Sequence, residues 1–401
     1  MTVLKNYNQF NGIHWETGSV CNHLASRGFI APHTGQPYSE ALLMGVSGGA
    51  VMAYFSFTYE GHDPHARILT RNTFDPWDTM LARLGVIQTI KHSTKTEKGT
   101  KNLLDMLDDG VAPIVWADVC SLPYRSNTLD EEMWFTIPMV VYGYDTAAKT
   151  VYIADRAKTG LTATTAEFDT ARSRIKKYKH RIAMLDAPDE GKLASAVQAG
   201  IWDTIKLYTE KPPKGSKNNF GLLAFANLRK MLTRPKSRLS WEKIFPAGRP
   251  MTAGLRWLYS DINHFGKNSP AERDTYADFL DEASLILGND DLKGVAQLFR
   301  QALPAWEAFS ETILPDHIPY FQETKSLMNR EKELFLTEGN RSLNERKAIR
   351  DHLTERLIQS ETDFPLTAEQ VDIHREHMAD ALAIIEQIET KAIQALKDAM
   401  G

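Results

Sequence analysis

The residues best suited to chemistry near the N-terminus are His14 and Glu16, which flank Trp15 at the start of a predicted helix. The imidazole could act as an acid, a base or a ligand donor, and a carboxylate in a first helical turn is stabilised by the helix dipole. A cysteine at such a position would be a good nucleophile, because the helix dipole and a neighbouring histidine lower its pKa. The indole of Trp15 cannot take that role. Whether the chain is an enzyme therefore depends on whether another residue supplies the chemistry.

The chain has two thiols that could be considered, Cys21 and Cys120. Cys21 follows Trp15 by a rotation of roughly 240° on the helix, so its side chain is expected to point elsewhere and to be a small buried residue. Cys120 is expected to share one face of a strand with Asp118, with no histidine nearby in sequence to activate it. Neither thiol is predicted to be a nucleophile.

Composition and charge exclude several classes of protein. The 401 residues carry 47 lysines and arginines against 51 aspartates and glutamates, so nucleic acid and membrane surfaces are not expected as partners. Two cysteines are too few for a disulfide scaffold, and no apolar run approaches the ~20 residues of a membrane span. We expect a cytoplasmic protein without a cofactor or a metal.

The pattern of apolar residues changes near residue 186. Before it, the runs at 112–119, 139–144 and 150–154 are rich in β-branched and aromatic residues and predict strands, the last two joined by a hairpin loop. After it, apolar residues at helical spacing predict helices at 194–209, 220–233, 253–263, 271–287 and 292–310.

The last part of the chain predicts two long charged helices, at 322–359 and 366–400, separated at Pro365. An apolar stripe follows the second of them, formed by Leu382, Ile385, Ile388, Ala392 and Leu396. We therefore predict an α+β domain at 1–186, a helical domain at 187–319 and a helical hairpin at 320–401. The stripe could mediate a homodimer or a homo-oligomer.

An ordered set of motifs resembles the butirosin biosynthesis protein H family. It comprises Gly12, His14, Glu16 and Thr17, then the segments 38–45, 47–49, 116–118, 122–124, 140–145 and 151–156. The helical half is similar to the domain of unknown function that often follows this family, through 219–222, 273–280 and Trp306.

The resemblance implies a papain-like α+β fold of the cysteine-peptidase type and an acyl or aminoacyl transfer from an acyl carrier protein to an amine. In that family a cysteine follows the first histidine, a second histidine opens a later strand, and an aspartate closes the next strand. The corresponding positions here are Trp15, Ile137 and Asp155, so only the aspartate of the triad is retained. Losing both nucleophile and base removes essentially all covalent catalysis.

The resemblance also implies which side chains surround the site. His14, Glu16 and Asp155 are the candidate catalytic residues. Candidate ligand-binding residues are Trp15, Thr17, Asp118, Cys120, Tyr124 and Ile137. Trp15 could fill the ancestral pocket or stack on a ligand through its ring face.

Two groups of histidines and aspartates invite a metal interpretation. One is His62, Asp63 and His65, and the other is Asp372, His374, His377 and Asp380. Neither has the ligand spacing of an established metal motif, and a polar, solvated helix face explains the second group.

Three functions remain open from the sequence. The first is a protein of natural-product metabolism that has lost the Cys/His pair and binds or processes an acyl or aminoacyl metabolite in a cleft between domains. The second is an acyl or aminoacyl transferase that works without a covalent intermediate, by orienting an amine and a carrier-protein thioester near His14, Glu16 and Asp155. The third is an interaction protein that acts through its helical tail.

Overall fold

The computed structural model describes residues 2–125, 134–234, 236–264 and 270–401. The strands are β1 Thr2–Val3, β2 Ile30–Ala31, β3 Gln36–Pro37, β4 Ala50–Phe57, β5 His65–Arg71, β6 Gln88–Lys91, β7 Ile114–Asp118, β8 Thr136–Asp145, β9 Thr150–Ala154, β10 Leu161–Thr164 and β11 Ile182–Leu185. The helices are α1 Trp15–Ser26, α2 Glu40–Val46, α3 Pro76–Arg83, α4 Thr96–Asp108, α5 Thr165–Ser173, α6 Leu193–Thr209, α7 Gly221–Thr233, α8 Trp241–Ile244, α9 Arg249–Asn263, α10 Arg273–Leu287, α11 Asp291–Gln301, α12 Leu303–Ile313, α13 Pro319–Glu338, α14 Leu343–Gln359 and α15 Ala368–Ala399.

These elements form two compact units that alternate along the chain. The first comprises 1–43, 77–193 and 330–350, and the second comprises 44–76, 194–329 and 351–401. The fold is α+β at the N-terminal end and helical towards the C-terminal end, as the sequence predicts.

An antiparallel sheet forms the centre of the first unit, with the strand order β10-β9-β8-β7-β11-β6 and with β1 paired to one end of β8. β8 is buried along nearly its whole length, which is typical of a strand covered on both faces. Helix α1 packs against β8, and the Ser19 hydroxyl donates to the Pro138 carbonyl at 2.9 Å. The core also includes side chains of α4, α5 and α13.

The free edge of β10 is covered from within the first unit. The side-chain amide of Asn340 accepts from the Thr162 N–H and donates to the Thr162 carbonyl, both at 2.8 Å. Phe335 and Leu336 pack into the same core as the sheet. Residues 330–350 thus belong to the first unit because they protect a sheet edge that would otherwise expose backbone donors and acceptors.

The second unit joins the β4–β5 hairpin to the helices. β4 packs on α7 and β5 packs on α9, while α15 lies against α7, α11 and α12. At its centre the Glu389 carboxylate pairs with Arg273 at 2.6 Å, with both side chains fully buried. Glu389 also accepts from the Tyr208 hydroxyl at 2.7 Å and the Trp306 indole at 2.8 Å, so this buried charge is fully hydrogen-bonded.

The structure divides the chain differently from the predicted boundaries at 186 and 319. The hairpin 50–71, which the sequence analysis did not identify, packs on helices of the second unit, and residues 330–350 return to the sheet of the first. The predicted helix 292–310 is interrupted at Ala302, just before Pro304, and the predicted helix 322–359 is interrupted by a 3₁₀ turn at Gly339–Ser342.

The apolar stripe of the last helix is occupied within the chain. Leu382, Ile385, Ala392 and Leu396 are buried on α15, which packs against three helices of its own unit. Packing inside the second unit therefore accounts for these four residues of the stripe, and a homodimer stays a prediction.

Close backbone approach fixes where α1 begins. The Asn22 side-chain carbonyl accepts from the Gly12 N–H at 3.0 Å and from the Asn11 N–H at 3.2 Å, which holds the preceding loop against the helix. A Cβ on Gly12 would lie 2.3 Å from the Gly18 carbonyl oxygen, so only glycine fits at this crossing.

We predict that Gly12→Ala lowers the free energy of unfolding of the first unit by about 2–3 kcal/mol, because a helix backbone cannot move aside as a side chain can. Urea unfolding monitored by circular dichroism measures this. The control is Gly294→Ala in α11, where an added Cβ would meet no atom within 4 Å and should be neutral or stabilising. An unchanged urea midpoint for Gly12→Ala would contradict the assigned crossing.

A buried histidine makes the first unit sensitive to acid. His23 Nδ1 donates to the Ala112 carbonyl at 2.8 Å, and Nε2 accepts from the Leu185 N–H at 3.0 Å, so the ring is neutral and bridges α1 to the sheet. Burial lowers the pKa of His23 from 6.5 to about 4. The unfolded chain takes up this proton at a higher pH than the folded chain does. The contribution of His23 to the free energy of unfolding is therefore fully present above pH 6.5 and falls by about 3 kcal/mol as the pH is lowered to 4.

We predict that His23→Leu flattens the pH dependence of the unfolding free energy between pH 6.5 and pH 4 by up to one proton's contribution. The measurement is urea unfolding at a series of pH values for both proteins. His92→Leu, at an exposed position, is the control and should keep the wild-type slope. Identical slopes in His23→Leu and the wild type would show that this ring does not link folding to protonation.

Candidate functional site

The start of α1 is held by one carboxylate. Glu40 at the first position of α2 accepts from the N–H of Ile13 at 2.7 Å, from the N–H of His14 at 2.8 Å and from the hydroxyl of Thr17 at 2.8 Å. His14 occupies the N-cap position without a side-chain cap, so Glu40 supplies acceptors for the backbone entering the helix. An anionic group is favoured at this end of a helix dipole.

This arrangement places aromatic side chains at the mouth of α1. Trp15 is the first residue of the helix, and its ring lies 4.1 Å from the His14 ring, between centroids. The edge of Trp15 also meets Phe135, with centroids 5.3 Å apart and planes at 89°. Trp15, Phe135 and Cys120 are partly buried and pack against the same core. The indole is thus one wall of an aromatic group at a helix N-terminus.

Phe135 links this group to Asp118 at the end of β7. The Phe135 N–H donates to Asp118 Oδ1 at 2.7 Å. The other carboxylate oxygen accepts from the Ser121 hydroxyl at 2.6 Å and from Arg174 Nη1 at 2.8 Å. Asp118 is fully buried, and these donors stabilise its charge. Its observed role is to hold the end of β7, the start of β8 and α5 together.

The two thiols lie away from the first position of α1. β7 ends at Asp118, so Cys120 lies in the 3₁₀ turn Val119–Ser121 and not on the strand as expected. Burial and the nearby Asp118 carboxylate raise the pKa of the Cys120 thiol. Cys21 is buried one turn and a half into α1, and its Sγ donates to the Tyr38 carbonyl at 3.3 Å.

A second group forms where β9 ends. Asp155 is buried and pairs with Arg156, whose Nε lies 2.6 Å from Oδ1 and whose Nη2 lies 2.9 Å from Oδ2. Arg156 has a φ of 51°, in the left-handed region, where a non-glycine residue is strained. Burial and the Asp155 carboxylate raise the pKa of the Tyr124 phenol well above its usual range, so Tyr124 is a neutral donor, here to Met139 Sδ at 3.4 Å.

Ile137 lies in the core of the sheet. It is fully buried on β8 and pairs with Ala117 on β7. The position at which the resemblance implies a histidine therefore holds an apolar side chain that solvent does not reach.

The candidate residues fall into two groups defined by contacts. Around α1 lie His14, Trp15, Glu16, Thr17, Asp118 and Cys120, and around the end of β9 lie Tyr124 and Asp155. Four residues that contact the candidate residues were not predicted from the sequence: Glu40, Phe135, Arg156 and Arg174. Glu40 lies in the segment 38–45 that carries part of the resemblance. The loop that it binds is distant in sequence, so only the fold shows that it contacts the start of α1.

Within the described residues, no group of three or more histidine, cysteine, aspartate or glutamate side chains could hold a metal ion. Asp63 instead pairs with Arg249 at 2.8 Å, His65 packs on the Trp257 ring, and His374 packs on Phe321. In the same part of the chain, the helices are all too short or too polar to cross a bilayer.

The chain is similar to a known family over part of its length. None of the curated proteins matches the chain. Residues 14–156 match the family model described as butirosin biosynthesis protein H, N-terminal. The matched segment begins at His14 and ends at Arg156, so it contains both groups of candidate residues and indicates secondary metabolism of the butirosin type. Over residues 14–156, the chain is therefore similar to the N-terminal region of the butirosin biosynthesis protein H family.

Proposed function

We propose that the first unit is a papain-like domain that binds or processes an acyl or aminoacyl metabolite at the start of α1 without capturing it on a thiol. The family match supports the substrate class, since it covers the segment that builds this site. The observation that carries the proposal is the indole of Trp15 at the first position of α1, where a thiolate would receive most help from the helix dipole.

The surroundings of Trp15 agree with the loss of a covalent step. A thiolate needs a base, and the position implied for it is Ile137, buried between strands. The carboxylate of Asp155, which would orient such a base, is instead paired with Arg156. Cys120 has a raised pKa and so little thiolate at neutral pH.

The same features can recognise an acyl group noncovalently. Trp15 and Phe135 offer apolar ring faces and edges, and His14 adds a ring that can donate or accept a proton. The positive end of α1 favours a carbonyl oxygen that gains negative charge. This is a binding site for an acyl carbonyl next to a titratable ring.

A transferase without an acyl-enzyme is the second candidate, favoured by the contact of His14 with Trp15. A thioester held at the indole would lie beside an imidazole that could take a proton from an attacking amine. The C–N bond of the amide forms as the C–S bond breaks, and the imidazolium returns the proton to the leaving thiolate. Holding both reactants in place contributes several kcal/mol to such a step. Glu16 is the proposed carboxylate of this reaction, since Asp155 is paired with Arg156.

We predict that Trp15→Ala weakens binding of an acyl-pantetheine thioester by about tenfold or more, because the ring face that covers the acyl group is lost. Isothermal titration calorimetry measures the Kd directly. Tyr59→Ala, which removes an exposed ring in the second unit, is the matched control and should bind as the wild type does. The double variant Cys21→Ala/Cys120→Ala should also bind normally. Unaltered affinity in Trp15→Ala would contradict the proposed site.

For the transferase, we expect His14→Ala to slow amide formation from the same thioester by about 10²-fold or more, the usual contribution of a general base. Product formation followed by mass spectrometry measures the rate. The double cysteine variant should retain the wild-type rate. Full turnover in His14→Ala, or loss of turnover in the cysteine variant, would refute this role for His14.

A further inference from the structure

The two edges of the central sheet in the first unit differ in how they are covered. At β10, the Asn340 side chain accepts from the Thr162 N–H and donates to the Thr162 carbonyl. At the other end, the order of the described strands stops at β6, which pairs with β11 on its inner side. An edge strand offers backbone donors and acceptors to a further strand. The outer side of β6 is therefore a candidate docking edge.

The hydrogen bonds to β11 show which backbone groups of β6 face outward. In an antiparallel pair, residues that exchange hydrogen bonds alternate with residues whose N–H and C=O groups point away. The Asp186 N–H donates to the Ile87 carbonyl at 3.0 Å, so Ile87 faces inward. Leu185, opposite Gln88, turns its N–H away from β6 and donates to a histidine of α1 at 3.0 Å. The N–H and C=O groups of Gln88 and Ile90 therefore point to the open side.

Apolar side chains are exposed on both faces of this edge. Ile87 is 68% exposed and Ile90 is 42% exposed, on opposite faces because the side chains of a strand alternate. Thr89, which shares the face of Ile87, is also exposed. Exposed apolar groups beside open backbone groups favour the addition of a strand, which would cover both.

We propose that β6 pairs with β6 of a second copy of this chain, antiparallel and about a two-fold axis at Thr89. In this register Gln88 and the partner's Ile90 exchange two hydrogen bonds, and Ile90 and the partner's Gln88 exchange two more. Thr89 faces the partner's Thr89, which is a favourable cross-strand pair. The contact uses the same edge of both copies and closes on itself, so the assembly is a dimer.

The charges beside the edge favour a second copy over a strand of unrelated sequence. In the same register Lys91 faces the partner's Ile87, so no like charges lie opposite each other. Asp186 is the neighbour of Ile87 on the inner side and shares its face. A lysine stem that crosses the partner's Ile87 therefore carries its ammonium group towards a carboxylate of the partner. The two-fold axis repeats this complementarity on both sides of Thr89.

The dimer is expected to be weak. β6 contributes four residues, Gln88–Lys91, which places the contact at the small end of specific interfaces. We therefore expect a Kd of roughly 10–100 µM. The inference does not depend on the proposed function.

Sedimentation velocity of the full chain at about 1 to about 300 µM tests this interface, since the wild type should change from monomer to dimer over this range. Thr89→Lys places two ammonium groups opposite each other and should raise the Kd by about tenfold or more. Thr89→Glu should weaken the dimer in the same way. An equimolar mixture of the two variants should dimerise at least as tightly as the wild type, because lysine then faces glutamate across the axis.

The matched control is Thr58→Lys, which makes the same change at an exposed threonine of the second unit and should dimerise as the wild type does. Urea unfolding confirms that the variants keep the wild-type stability. A wild type that stays monomeric would leave the edge to a strand of another protein and overturn the inference. Unaltered dimerisation of Thr89→Lys, or a mixture of the two Thr89 variants that stays monomeric, would overturn it as well.

Discussion

The candidate site depends on the hydrogen bonds that the Glu40 carboxylate accepts at the start of α1. One carboxylate satisfies two backbone N–H groups and the Thr17 hydroxyl, and so fixes the residues on both sides of Trp15. Asn22 and the crossing of Gly12 over Gly18 hold the same loop from the opposite direction. Together they hold the backbone on which Trp15 and His14 stand. The Trp15 ring then contacts Phe135, whose N–H donates to Asp118.

This constraint gives the site its chemical character. A helix N-terminus with a cysteine would favour a thiolate, but the same field beside an indole favours only a polarised carbonyl or another anionic group. Two nearby carboxylates form ion pairs, Asp118 with Arg174 and Asp155 with Arg156. Recognition through ring faces and proton transfer by His14 are therefore the functions that we propose for this set of side chains.

Local pattern predicted much of the fold and part of the site. The strands at 139–144 and 150–154 appear as β8 and β9, because β-branched runs joined by a short loop leave few alternatives. The helix that begins at Trp15 and the positions of Asp118 and Asp155 near strand ends also follow from sequence. These features depend on residues that are neighbours along the chain.

Features set by distant residues could not be predicted in this way. Glu40 of α2 accepts from the loop that enters α1. Asn340 covers an edge strand that lies far back in the sequence, and Glu389 completes a buried network with Arg273. The stripe on α15 was equally compatible with a partner outside the chain, and only the packed helices show what covers it. Each of these features needs a tertiary contact, and the periodicity of the sequence does not specify which residue makes it.

We propose that no thiol of this protein takes part in covalent capture of an acyl group. Intact-mass spectrometry of the full chain after incubation with an acyl-pantetheine thioester tests it most directly. We expect the mass of the protein to remain that of the unmodified chain while the thioester is bound or consumed. An adduct of one acyl group that maps to Cys21 or Cys120, formed at the rate of turnover, would contradict the account.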